Sequence, residues 1–136
     1  MRSEILNALY TKLYNMEGIK AVFKYNKGHF TKYPVAVILG SDNSKARESV
    51  KTIKKTYKFK VQIFQEINQE ARGQEAGEDV IITIGDRIDD AFDSDDTLGG
   101  VCDDVSVISS YAWDDRELLM RVLQLEIVCT KLKQLI

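Results

Sequence analysis

The sequence predicts an α+β domain in which an antiparallel-rich sheet of about five strands carries two helices on one face. Strict alternation of apolar and polar residues in the segment 56–65 predicts a half-buried strand. Apolar residues recur at helical spacing near residues 3–16 and again near 80–92. Glycine and proline divide the remaining chain into short runs, and the resulting element order is α-β-β-β-α-β-β.

The segment TYKFKVQIFQ gives the strongest of these signals. Tyr57, Phe59, Val61 and Ile63 share one face, and polar side chains share the other. Burying these four side chains contributes about 1.5–3 kcal/mol each, and a one-residue slip would expose all of them. We therefore expect the other elements to cover this face.

The N-terminal third predicts a helix followed by two strands. Ser3 is a suitable N-cap and Gly18 a suitable end for a helix over residues 3–16. A short strand over 19–25 and a polar loop over 26–32 follow. Pro34 belongs at the first position of a strand or on an edge, because it has no N–H to donate.

The second strand is predicted to cover 35–39 and to end at Gly40. The next segment, 41–55, is polar and basic and has no helical apolar stripe. It predicts a projecting arm whose base continues the flanking strands and whose tip is mobile when the protein is alone. Since Val50 and Ile53 are its only large aliphatic residues, we expect a partner to order it.

The C-terminal half predicts a helix near 80–92, after a polar break over 69–78, and then two strands. The sequence TLGG at 97–100 is typical of a turn, and Val101, Val105 and Val107 predict a strand after it. The segment 109–117, with the one tryptophan of the chain, is interpreted as a loop. Residues 118–132 fit both a strand and a helix, and we predict a strand.

Length and composition predict a single domain over residues 1–136. The chain is 44% hydrophobic and 29% charged, which fits a globular core. No apolar run approaches the roughly 20 residues that span a bilayer, and the N-terminus lacks a signal peptide's apolar block, so we expect no membrane association. Cys102 and Cys129 lack metal-site spacing and are expected to be small core residues.

Charge is distributed unequally along the chain. Residues 1–60 contain 13 Lys and Arg and 4 acidic residues, whereas residues 61–136 contain 6 and 17. The net charges of +9 and −11 give the overall −2. Two solvated surfaces of opposite sign are the simpler interpretation, and head-to-tail association of copies is the alternative.

The acidic residues concentrate in and after the second predicted helix. Their pattern lacks the spacing of a calcium-binding loop, so a metal site or a metal-dependent hydrolase is the weaker interpretation, and an acidic edge facing solvent or a partner is preferred. His29 lies in a polar turn without an inferable nucleophile or orienting acid. The acidic edge comprises Asp86, Asp89, Asp90, Asp93, Asp95 and Asp96, with Asp103 and Asp104 nearby.

The basic residues of the predicted arm are candidates for contact with a partner or a neighbouring copy. They also suit contacts to phosphates, but the arm has no aromatic residue between 42 and 55 for base stacking. A solvated loop is the simpler alternative. The candidate residues are Lys45, Arg47, Lys51, Lys54 and Lys55.

Several segments together resemble the tail terminator, or tail-completion, proteins of long-tailed bacteriophages. The resemblance covers nearly the whole chain. It rests on the order of the predicted elements and on short sequence motifs, not on a catalytic signature. It is carried by MRSEILNALYTKL, KYPVAVILG, the long segment before KTYKFKVQIFQE, VIITIGDRIDDAF, DTLGGVCDDVSV and RVLQLEIVCTK.

The resemblance implies a virion protein that forms a ring, generally of six copies, on the last ring of the tail tube. Such a ring stops tube growth and presents a surface for joining the head, so its partners are the tail tube protein and a connector or neck protein, with genomic DNA passing through the lumen. We expect no enzymatic activity and no cofactor. A head-closure component is the nearest alternative, and a small nucleic-acid-binding domain is an alternative from another class.

Overall fold

The computed structural model describes residues 2–24, 33–66, 71–115 and 120–134. They form two helices and five strands in the predicted order. The predicted loop 26–32, which includes His29, lies outside these residues. The elements are α1 (Arg2–Tyr14), β1 (Ala21–Phe23), β2 (Val35–Ser49), β3 (Thr52–Glu66), α2 (Ala71–Ser94), β4 (Asp104–Asp115) and β5 (Met120–Gln134).

The five strands form one sheet in the order β1-β2-β3-β5-β4. The β1–β2 pair is parallel, and the pairs β2–β3, β3–β5 and β4–β5 are antiparallel. The α+β class and the antiparallel-rich sheet are therefore confirmed. β3 is the central strand of the sheet.

The main core lies between one face of β3 and β5 and the two helices. Phe59 lies opposite Ile127, and Val61 lies opposite Leu125, with all four side chains buried. Among the side chains whose burial the structure describes, those that α1 and α2 bury in this core are Ile5, Leu9, Leu13, Ile81, Ile84, Ile88 and Phe92. Both helices thus pack on the face that the alternation of β3 predicts.

A glycine lets α2 approach the sheet closely. A Cβ atom added at Gly85 would lie 3.0 Å from Cδ2 of Leu123 on β5. A smaller apolar cluster lies on the opposite face of the sheet, around Val35 and Val37, where Phe23 and Phe64 pack. No described helix is long and apolar enough to cross a membrane.

The prediction that the second strand ends at Gly40 is wrong, and the segment 41–55, predicted as a projecting arm whose base continues the flanking strands, is paired along most of its length. β2 continues to Ser49, and β3 begins at Thr52 after a turn at Val50 and Lys51. Almost the whole segment is paired in a hairpin that extends the sheet, with irregularities in register near residues 41 and 48. Its polar composition misled the prediction, because a strand without a helix above it needs no apolar face.

The predicted loop over 109–117 is also wrong, since β4 continues to Asp115. A register shift between Val107 and Ser109 breaks the alternation that would have revealed the longer strand. Trp113 lies on this strand and stacks on Tyr111, with ring centroids 5.1 Å apart. The strand predicted over 118–132 is confirmed as β5.

The observed bounds of α2 and of the first strand also differ from the predicted ones. α2 begins at Ala71, earlier than the polar break over 69–78 indicated, whereas α1 is close to its predicted range. The first strand is shorter than predicted and covers Ala21–Phe23.

The glycine-rich turn is confirmed: Gly99 and Gly100 have φ of 69° and 90°, and Leu98 has φ of 53° with its side chain buried.

Candidate interaction surfaces

The hairpin and the end of β5 carry a cluster of five cations on one face of the sheet. We call this cluster the basic surface. Lys45 of β2 lies directly opposite Lys55 of β3, which lies opposite Lys131 of β5. In the next row, Ile53 lies between Arg47 and Lys133. By alternation along β3, this face is the one that the helices cover further along the strand.

This arrangement is electrostatically unfavourable for the isolated chain. Adjacent strands are about 4.8 Å apart, so the row of three lysines places like charges side by side. None of the five cations forms an ion pair with another residue that the structure describes. The cations therefore concentrate positive charge at the end of the sheet that carries the turn of the hairpin.

Two of the sequence-predicted basic residues do not join this surface. Lys54 lies on the opposite face, because it is one residue from both Ile53 and Lys55 in an uninterrupted strand. Lys51 lies in the turn. Lys131 and Lys133 were not predicted as members of this surface, although their spacing in the segment TKLK places them on one face of a strand.

A shallow cavity of about 240 Å³ opens beside the basic surface. Lys45, Lys55, Asn43 and the buried Tyr57 contribute to its lining. Ammonium and amide donors around a cavity of this size suit an oxygen anion such as a carboxylate.

An acidic surface lies on one side of α2. It consists of Asp86, Asp89, Asp90 and Asp93, which are spaced so that a helical turn brings all four to the same side. Asp86, Asp90 and Asp93 are exposed, and Asp89 is half-buried. Burial, and then the carboxylates of Asp93, Asp86 and Asp90, raise the pKa of Asp89. The carboxylates of the acidic surface therefore repel one another, as the lysines of the basic surface do.

The other two residues of the predicted acidic edge lie beyond α2. Asp95 acts within the chain: its carboxylate accepts the Gly99 N–H at 3.0 Å and pairs with Lys12 Nζ at 2.9 Å. The hydrogen bond from Gly99, and next the one from Lys12, lower the pKa of Asp95. Asp96 is exposed in the turn. Asp103 accepts the Leu132 N–H and so fixes the turn to the end of β5.

A groove of about 180 Å³ runs between α2 and the strands β4 and β5, beside the acidic surface. Ile82, Asp86 and Asp89 line it from the helix, and Arg121 lines it from the sheet. Ile82 is 53% exposed. Arg121 is paired with Asp114 on β4 at 2.8 Å. The groove thus joins the acidic surface to the edge strand β4 and adds apolar area to it.

Among the described strands, both edges of the sheet have long stretches without a neighbouring strand. β4 is the last strand on one side. On the other side β1 pairs only with residues 35–37 of β2, so the outer edge of β2 beyond Val37 has no partner among the described strands. Backbone N–H and C=O groups along such edges are available to pair with a strand of another chain.

The two cysteines belong to the core, as predicted. Cys102 and Cys129 are buried and are not linked by a disulfide. The hydrogen bond with Cys102, together with burial, raises the pKa of Cys129. Among the residues that the structure describes, no group of three or more His, Cys, Asp or Glu side chains is placed to hold a metal ion.

Comparison with known proteins finds no family model that matches the chain and no curated protein with a significant match.

Proposed function

We propose that the protein forms a ring, of about six copies, at the head-proximal end of a bacteriophage tail tube. There the ring stops polymerisation of the tube and provides the surface to which the head joins. Its location is the virion, and its partners are the tail tube protein and a connector or neck protein, with genomic DNA passing through the lumen. The role is structural and requires no cofactor.

The observation that carries this proposal is the pairing of unlike surfaces on one small domain. A basic surface lies on the hairpin beyond the helices, and an acidic surface lies on α2 beside β4. A contact between two different surfaces is heterologous, and repeated heterologous contacts generate rings when the rotation closes. The two open sheet edges support the same kind of repeated contact.

Electron microscopy and mass measurement test the proposal together. We expect the purified protein, alone or with isolated tail tubes, to form closed rings by negative stain and native mass spectrometry. Labelled protein should locate to the head-proximal end of tails. If the protein remains monomeric at high concentration and never locates to a tail end, the proposal is wrong.

Location separates this proposal from a head-closure component, because a head-closure protein would label heads without tails. The basic surface also favours a second candidate, a small nucleic-acid-binding domain. A gel shift of duplex DNA by the monomer that weakens steeply with salt would support it.

The absence of catalysis is part of the proposal. We expect no nuclease or phosphatase turnover in the presence of magnesium or manganese. Turnover abolished by Asp89→Ala or Asp90→Ala would instead support a metal-dependent hydrolase.

A further inference from the structure

We propose that the basic surface of one copy binds the acidic surface of α2 in the next copy. This inference rests on the proposed ring and names the residues that join its subunits. Lys45, Arg47, Lys55, Lys131 and Lys133 form one side of the contact, and Asp86, Asp89, Asp90 and Asp93 form the other.

Charge is the first argument. Lysines lie opposite lysines in the hairpin, and carboxylates crowd one another on α2. Like charges repel one another within each surface, and a contact between the two surfaces reduces the repulsion in both. The chain therefore contains a partner for its own basic surface that matches it closely in number of charges.

The two surfaces are not joined by an ion pair within the part of the chain that the structure describes. The helices and the basic surface lie on the same face of the sheet, with α2 packed above β3, β5 and β4. Asp86 and Asp89 line the groove beside Leu123, several residues along β5 from Lys131. We therefore place the contact between copies.

The positions of the surfaces suit head-to-tail contact. The acidic surface borders the groove beside β4, one edge of the sheet. The basic surface begins at β2, whose outer edge beyond Val37 has no partner among the described strands. The groove lies beside Leu123 and Leu125, and the basic surface includes Lys131 further along the same strand, so the contact requires neighbouring copies that are offset along the strands. The exposed Ile82 adds apolar area at this junction.

Nucleic acid is the less favoured occupant. The chain has a net charge of −2, which provides no overall attraction to a polyanion. Among the described residues, Tyr57 is the aromatic residue at the cavity beside the basic surface, and it is buried and cannot stack on a base.

Two charge-reversed variants test the contact. The first carries Lys55→Glu and Lys131→Glu, and the second carries Asp90→Lys and Asp93→Lys. Each is expected to associate with itself about a hundredfold more weakly than the wild type, because like charges then face each other at every junction. In an equimolar mixture each reversed surface meets an opposite one, and we expect assembly to return.

The composition of the restored assembly is itself diagnostic. With one variant isotopically labelled, native mass spectrometry should show equal numbers of the two variants, because only alternating rings satisfy every junction. Circular dichroism establishes that both variants are folded. A matched control carries Lys51→Glu and Lys54→Glu, which changes the net charge of the chain equally but off the basic surface, and it should assemble as the wild type does.

The outcomes separate this contact from the proposed ring. The proposed contact is wrong if the Lys55→Glu, Lys131→Glu variant forms normal rings by itself. It is also wrong if the two folded variants do not assemble when mixed. Neither result would contradict the proposed ring of the wild type. A wild type that never assembles, with or without tail tubes, would overturn both. Normal assembly of the first variant with loss of duplex DNA binding would assign the basic surface to nucleic acid.

Discussion

The part of the sheet that the helices cover and the part beyond them carry different kinds of side chain on the same face. Where the helices cover β3 and β5, opposite residues are apolar and fully buried, as with Phe59 and Ile127. Further along the same two strands, opposite residues are Lys55 and Lys131. The two strands pair without interruption, so the backbone is the same in both parts and only the side chains differ. The covered part contributes to the core, and we propose that the uncovered part binds a neighbouring copy.

Truncation of one large side chain in each part should show the greatest difference. Phe59→Ala leaves a cavity in the core and should cost about 3–5 kcal/mol of unfolding free energy. Ile53→Ala, six residues away on the same face of β3, should cost less than about 1 kcal/mol, since no helix packs on it. Urea unfolding monitored by circular dichroism measures both. Similar losses would contradict the division of the sheet.

Amide exchange in the free subunit should divide the strands at the same place. We expect residues 57–63 of β3 to exchange only through nearly global unfolding, because both neighbouring strands and the core protect them. Residues 43–56 should exchange faster through local opening and become protected on assembly. Mass spectrometry of the monomer and the assembly tests this expectation of an arm that is ordered by its partner. Equal protection of both parts in the free monomer would be evidence against it.

Removing one charge from the row of lysines should stabilise the monomer slightly. Lys55→Gln relieves repulsion from both Lys45 and Lys131, and we expect a gain of about 0.5 kcal/mol at low salt. Lys54→Gln on the other face of the strand is the control and should change stability less. Thermal unfolding in dilute solution, at low and high salt, measures the difference. A loss of stability in Lys55→Gln would show that the row is not strained.

The acidic surface should respond to pH. Folding raises the pKa of Asp89, so stability is lost as the pH rises above the ordinary pKa of aspartate, and the loss is complete above the raised pKa. Asp89→Asn should therefore stabilise the monomer at neutral pH by less than about 1 kcal/mol. The difference should vanish below the ordinary pKa of aspartate, where the carboxyl group is protonated in both states. Unfolding curves from pH 3 to 7 test this, and a stabilisation that grows as pH falls would contradict it.

The sequence predicted the covered part of the fold well and the uncovered part poorly. The alternation of residues 56–65 and the helical spacing of apolar residues in α2 both arise because one face of each element is buried. A periodic apolar pattern therefore reveals an element only where one of its faces is buried. In the hairpin, residues 43–47 are exposed and 52–56 are half-buried, so its strands carry no such pattern and were interpreted as an arm. A register shift near Ser109 concealed the second half of β4.

The candidate surfaces were predicted in part for a related reason. Lys45, Arg47 and Lys55 were identified as a basic cluster because they are near in sequence. Lys131 and Lys133 were missed because the β3–β5 register that brings them beside Lys55 and Ile53 joins segments more than 70 residues apart. Asp95 was grouped with the acidic edge because composition does not reveal its bonds to Lys12 and Gly99.

The most direct test of the account compares stability with assembly in one variant. Lys45→Gln, Lys55→Gln and Lys131→Gln together remove the row of lysines without introducing opposite charge. We expect the monomer to unfold at the same temperature as the wild type or a higher one, while association measured by analytical ultracentrifugation is lost. A variant that is less stable and still assembles normally would contradict the claim that this end of the sheet serves a partner and not the fold.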